Sequence, residues 1–70
     1  MTIRKLRNLI GRKIKYLRKS HNLSQEQFAE FIDMSREHIS CIERGKNTIS
    51  IDSLYKIAKY FNLDIKDFFE

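Results

Sequence analysis

The chain has 70 residues, 14 lysines and arginines against nine acids, and a formal net charge of +5. A chain this short fits one domain, residues 1–70, that buries roughly 60 % of the surface its unfolded form exposes, which excludes a large enclosed active-site cavity. With no proline and only two glycines, little interrupts helices, and folds that need many tight turns are disfavoured.

The one cysteine, Cys41, can form no intramolecular disulfide, and no cysteine or histidine pair has the spacing of a zinc site. Neither metal nor cofactor is expected, and the chain suits a reducing cytoplasm. Apolar residues of the basic N-terminus are dispersed among charges, so it reads as neither a secretory h-region nor a membrane span.

Residues 1–20 hold eight cations, Arg4, Lys5, Arg7, Arg12, Lys13, Lys15, Arg18 and Lys19, and no acid. Such a patch speeds encounter with polyanions and supplies sequence-independent phosphate affinity, although charged helix faces are often simply solvated. Between these cations Leu6, Ile10, Ile14 and Leu17, with Leu9 beside them, form an apolar stripe that predicts helix 1 to about Ser20. Gly11 lies inside it at a cost of about 1 kcal/mol relative to alanine, unless a neighbouring backbone needs the room.

Four later helix starts share one local pattern, a small polar N-cap between an apolar residue and a second one five positions on. The caps are Ser24, Ser35, Ser50 and Asp64; the apolar pairs are Leu23 with Phe28, Met34 with Ile39, Ile49 with Leu54, and Leu63 with Phe68. Gln27 completes a capping box with Ser24. The helices implied are roughly 24–32, 35–44, 50–61 and 64–69, and Gly45 stops the third as a C′ residue.

Only two or three residues around Asp33 and Met34 separate helices 2 and 3, so the two must pack at an angle. Phe28, Ala29, Ile32, Met34, Ile39 and Ile42 are the inward positions. Arg36, Glu37, Ser40 and Cys41 then share one outer face near the start of helix 3, the end that enters a major groove in helix-turn-helix docking.

The segment "LSQEQFAEFIDMSREHISCIERGKNTIS" resembles the helix-turn-helix core of the Cro/CI-type (XRE) regulators. "IGRKIKYLRKSHN" resembles that family's first helix, and "IDSLYKIAKYFNLDIKDFF" its fourth and fifth. The fold implied is all-α, a compact five-helix lambda-repressor-like domain with the helix-turn-helix at helices 2 and 3. By the same resemblance Arg36, Glu37 and Cys41 read bases, with Ser40 on the same face. Gln25 would bind a phosphate and lean on helix 3. Ser35, Arg44, Lys46 and Asn47 would face the DNA backbone, and His38 could bond a phosphate. Arg18 matches an arginine that pairs with the glutamate at Glu43, and it is placed among the phosphate contacts as well. Asp33 stands where the family commonly has glycine, which implies slight strain, and Ile49 replaces a frequent proline.

The cluster Tyr60, Phe61, Leu63, Ile65, Phe68 and Phe69 exceeds what the last helix needs for its own packing. Such a patch marks an interface, and the family resemblance implies dimerisation through this end, so Tyr60, Leu63, Ile65, Phe68 and Phe69 are expected to form a homodimer interface, which would set two reading helices about 34 Å apart. An enzyme is not expected, because no glycine-rich loop, H-E-x-x-H motif or catalytic constellation is present. The function expected is transcriptional regulation by a homodimer on double-stranded DNA, with no membrane or small-molecule partner. The rival reading is an antitoxin-type module that binds a protein through its C-terminal helices. A basic membrane-surface protein is a weaker third, since the helices are too well capped to need lipid.

Overall fold

A computed structural model describes residues 1–69. Four α-helices, α1 (Ile3–Ser20), α2 (Gln25–Phe31), α3 (Arg36–Glu43) and α4 (Ile51–Tyr60), are followed by a 3₁₀ helix, Ile65–Phe69. No strand occurs among the described residues. The all-α class expected from the sequence therefore holds, with the last of the five helices wound as 3₁₀.

Side-chain caps set the starts. The hydroxyls of Ser24, Ser35 and Ser50 accept the backbone N–H of Gln27, His38 and Ser53, and Gln27 Oε1 accepts the Ser24 N–H at 2.9 Å to close the capping box. Thr2, which the sequence reading passed over, caps α1 in the same way by accepting from Lys5. Asp64 behaves differently from its three counterparts. Its N–H donates to Asp67 Oδ2 at 3.1 Å, and the segment tightens into 3₁₀ winding.

Each α-helix ends in one residue of left-handed backbone: Asn22, Asp33, Gly45 and Asn62, with φ of 57°, 57°, 75° and 58°. In each case the next residue's N–H reaches back to a carbonyl five positions earlier, Leu23 to Arg18, Met34 to Ala29, Lys46 to Cys41 and Leu63 to Ala58. These are Schellman closures, which satisfy carbonyls left open at a helix end. Asn and Asp are the side-chain-bearing residues that best tolerate this conformation, so Asp33 makes the turn where glycine is common. Leu23, Met34 and Leu63 close one helix, precede the next cap, and pack half-buried on the core.

The core consists of Ile10, Ile14, Phe28, Ala29, Ile32, Ile39, Ile42, Ile49, Leu54, Ile57, Ala58 and Phe68. Five of the six inward positions expected for the α2–α3 unit are buried, and Met34 is half-buried. α1 packs across α3 and the 3₁₀ helix. At their crossing Gly11 is buried, and a methyl group there would collide with the carbonyl oxygens of Ile42 and Glu43. The glycine is thus what lets the two backbones meet. We expect Gly11→Ala to lower stability by about 2 kcal/mol or more, although alanine is the better helix former by about 1 kcal/mol. A shift of the urea midpoint measures it, and an unchanged or raised midpoint would show that the crossing has slack.

Candidate nucleic-acid interface

Three buried residues, Ile39, Ile42 and Glu43, turn one side of α3 inward. At 3.6 residues per turn, the exposed Arg36, Glu37 and Arg44 and the half-buried Ser40 and Cys41 take the other side. Ser35, exposed itself, holds the helix start by accepting from the His38 N–H at 3.1 Å, and the His38 side chain is half-buried. Arg44 lies back along the outer face: its Nε donates to the Ser40 carbonyl at 3.3 Å, and its Nη2 is 3.7 Å from Cys41 Sγ. Lys46 and Asn47 follow in the exposed loop after Gly45. The structure thus gathers the expected base-reading residues on one face, with exposed cations at its end.

Behind that face lies a polar knot. Glu43 accepts from Arg18 Nε at 2.7 Å and Arg18 Nη2 at 3.1 Å, and from Gln25 Nε2 at 3.1 Å. Arg18 Nη1 donates in addition to the Leu23 carbonyl at 2.6 Å. The Arg18 partnership implied by the family resemblance is present. Its placement among the phosphate contacts is corrected, because the residue is 7 % exposed and every guanidinium nitrogen is engaged within the protein. Gln25 leans on α3 as expected, with its amide half-buried.

The C-terminal cluster is divided. Phe68 is fully buried, which removes it from any surface, and Leu63 and Ile65 are half-buried against the core. Tyr60 and Phe69, 43 % and 41 % exposed, belong to different patches. Tyr60 stacks on the exposed Phe31 with ring centroids 5.8 Å apart. Phe69 joins the exposed Ile3 and Ile51 at the rim of an apolar groove of about 300 Å³, whose lining includes Leu6, Ile10, Ile42, Ile49 and Leu54. Sequence reasoning missed Ile3, Ile51 and Phe31. It also missed the hydrogen bond from Arg7 Nε to Thr48 Oγ1, 2.8 Å, that ties α1 to the loop after α3, and the Lys56 ammonium donating to the Ile32 carbonyl at the end of α2. No group of three His, Cys, Asp or Glu among the described residues could hold a metal ion, and no described helix is long and apolar enough to cross a membrane.

Two short helices joined by a tight left-handed turn, the second with an exposed polar face, define a helix-turn-helix protein of the DNA-binding class. The chain belongs to the helix-turn-helix family HTH_3, whose model matches residues 14–68. It is 46 % identical over 57 residues to the HTH-type transcriptional regulator MJ0272 of Methanocaldococcus jannaschii, covering 81 % of this chain and 86 % of that one. Control protein C.BamHI of Bacillus amyloliquefaciens is 41 % identical over 63 residues, 89 % of this chain and 78 % of that one. Antitoxin PezA of Streptococcus pneumoniae is 37 % identical over 59 residues, 84 % of this chain but 37 % of its own length. Among solved structures, an HTH_3-family regulator from Vibrio cholerae superposes with a TM-score of 0.87 at 32 % identity. The match covers 97 % of this chain and 38 % of that one.

Since the Arg18–Glu43 pair is buried, removing one partner strands the other. Arg18→Ala is expected to cost about 3–5 kcal/mol, whereas Arg18→Met with Glu43→Leu recovers most of that loss. Chemical denaturation of the two variants checks both, and a small effect of Arg18→Ala would mean that water reaches Glu43.

Proposed function

We propose that this protein is a sequence-specific regulator of transcription that acts in the cytoplasm as a homodimer, with the first turns of α3 in the major groove of double-stranded DNA. The observation that carries this reading is the polar opening of α3, with Arg36 and Glu37 exposed in its first turn, on a helix whose other side is locked into the core. Arginine can bond guanine O6 and N7 together, and glutamate, which phosphates repel, accepts from a cytosine N4. Ser40 and Cys41 are small enough to meet a base edge or a thymine methyl. Gln25, Ser35, His38, Arg44, Lys46 and Asn47 supply phosphate contacts that fix register without reading sequence.

For the dimer we assign the apolar rim Ile3, Ile51 and Phe69 in place of the C-terminal cluster. These three exposed side chains come from separate segments and border one groove, which Asn47 and Thr48 also line. A second copy seated there buries apolar surface that a monomer leaves in water, and it couples the subunits next to the loop that carries Lys46. The operator is then near-palindromic, roughly 15–20 bp, with half-sites one turn or about 34 Å apart.

The likeness to PezA supports a second reading, in which the domain serves an antitoxin and the Phe31–Tyr60 surface grips a protein. A partner co-purifying in equal amount, with DNA binding unaffected by substitutions on α3, would favour it.

Two experiments test the first reading. In salt-dependent titrations with DNA from upstream of its own gene and a scrambled control, Arg36→Ala is expected to cost about 1–3 kcal/mol on the cognate duplex only. Lys46→Ala weakens both duplexes alike and lowers the salt slope by about one. Equal effects of both variants on both duplexes would overturn the assignment. In sedimentation, Ile51→Asp is expected to shift the protein to monomer, and an unchanged dimer would move the interface elsewhere.

A further inference from the structure

Two arginines stand at opposite ends of one stripe of α1. Arg7, Gly11, Ile14 and Arg18 recur at helical spacing and so share a side of the helix. The stripe lies along the end of α3 and the loop that follows it. Arg18 bonds Glu43, Gly11 meets the backbone of Ile42 and Glu43, and Arg7 Nε donates to Thr48 Oγ1 at 2.8 Å. Asn8, next to Arg7, rests on Gly45, where a methyl group would collide with its Oδ1. The exposed Lys46 and Asn47 are therefore held between two anchors, both supplied by α1.

The two arginines differ in what they bond. Arg18 is neutralised by Glu43, and each of its guanidinium nitrogens has an acceptor within the protein. Arg7 is half-buried, yet among the described residues it has no carboxylate partner, and its Nε bond to Thr48 is its side chain's only hydrogen bond. A bond to a hydroxyl needs no charge, and a glutamine amide would donate it as well. What arginine adds is a fixed positive charge and two Nη groups suited to a phosphate. Thr48 follows Lys46 by two residues, at most about 7 Å of chain, so this charge lies beside the phosphate contacts assigned to the loop.

We infer that Arg7 is a phosphate-binding residue of the DNA interface, oriented by Thr48 and acting beside Lys46, which makes the start of α1 part of the clamp on the DNA backbone. The inference rests on the α3 reading for the DNA itself. A second copy is the poorer source of the missing anion. Arg7 also lines the apolar groove, but no acid is among the residues lining it, and a symmetric partner presents the same patch.

The test follows binding of the full chain to the upstream duplex and its scrambled control by anisotropy across a range of salt concentrations. Arg7→Gln keeps a donor for Thr48 but loses the charge. Thr48→Val keeps the charge but loses the bond, and Lys59→Gln removes a cation from α4. Circular dichroism verifies that each folds. Arg7→Gln is expected to weaken both duplexes alike, about fivefold or more at about 0.1 M salt, and to lower the slope of log affinity against log salt by about 0.9 per subunit. Thr48→Val and Lys59→Gln are expected to retain the slope, and in sedimentation Arg7→Gln remains a dimer. An unchanged slope with Arg7→Gln overturns the inference, because Arg7 is then only a tie for the loop. An equal fall with Thr48→Val overturns it too, since displacement of the loop would account for the loss, and an equal fall with Lys59→Gln would reduce the effect to net charge. Dissociation of Arg7→Gln to monomer assigns Arg7 to the subunit contact and likewise overturns the inference. If the unaltered protein binds neither duplex, the α3 reading itself fails; a slope lowered by Lys46→Ala but not by Arg7→Gln sinks this inference alone.

Discussion

Three helices depend on one carboxylate. Glu43 closes α3, where its negative charge meets the negative end of the helix dipole, so local preference disfavours it. It is held there by two bonds from Arg18 of α1 and one from Gln25 of α2. A residue locally misplaced yet fully partnered takes its role from tertiary structure. Gly11 lies on the same side of α1, against the carbonyls of Ile42 and Glu43. A larger residue would push α1 outward and stretch the Arg18 contacts, so the close crossing and the ion pair are parts of a single constraint.

That constraint matters because α2 and α3 are only seven and eight residues long, well below the length at which an isolated helix persists in water. In helices so short, almost every backbone group lies within one turn of an end, and end chemistry decides whether they form. Ser24 and Ser35 close one end of each, Asp33 and Gly45 the other. The core residues Phe28, Ala29, Ile32, Ile39 and Ile42 then fix the angle between them. In the proposed mode, a helix set in this way would meet DNA already formed and spend no binding free energy on ordering itself.

Much of this was legible because capping is local. A serine flanked by apolar residues five positions apart identified the starts of α2, α3 and α4, and the 3.6-residue period identified the buried faces. A complementary signal was overlooked: Asn22-Leu23-Ser24, Asp33-Met34-Ser35 and Asn62-Leu63-Asp64 each place a left-handed stop, a core contact and a start side by side. Glu43 and Arg18 came from the family resemblance, since 25 residues separate them and no local rule pairs them. What could not be read was the division of the C-terminal aromatics. Three residues per turn in the 3₁₀ helix puts Ile65 and Phe68 on the same side, toward the core, and leaves Phe69 outside. The neighbours of Phe69, Ile3 and Ile51, come from distant parts of the chain, and only the folded molecule joins them.

The charges divide the labour of DNA recognition in the proposed mode. The exposed pair in the first turn of α3 is one cation and one carboxylate, Arg36 and Glu37, so that turn adds almost nothing to the net attraction for a polyanion. Affinity and encounter rate must then come from cations off the reading face, Arg44 and Lys46 beside it and the cations of α1 beyond. A basic residue in place of Glu37 would bind any duplex more tightly, at the expense of the difference between right and wrong sequences. Keeping an acid among phosphates makes sense only where discrimination matters more than adhesion, and it leaves the salt-sensitive and base-sensitive parts of binding on separate side chains.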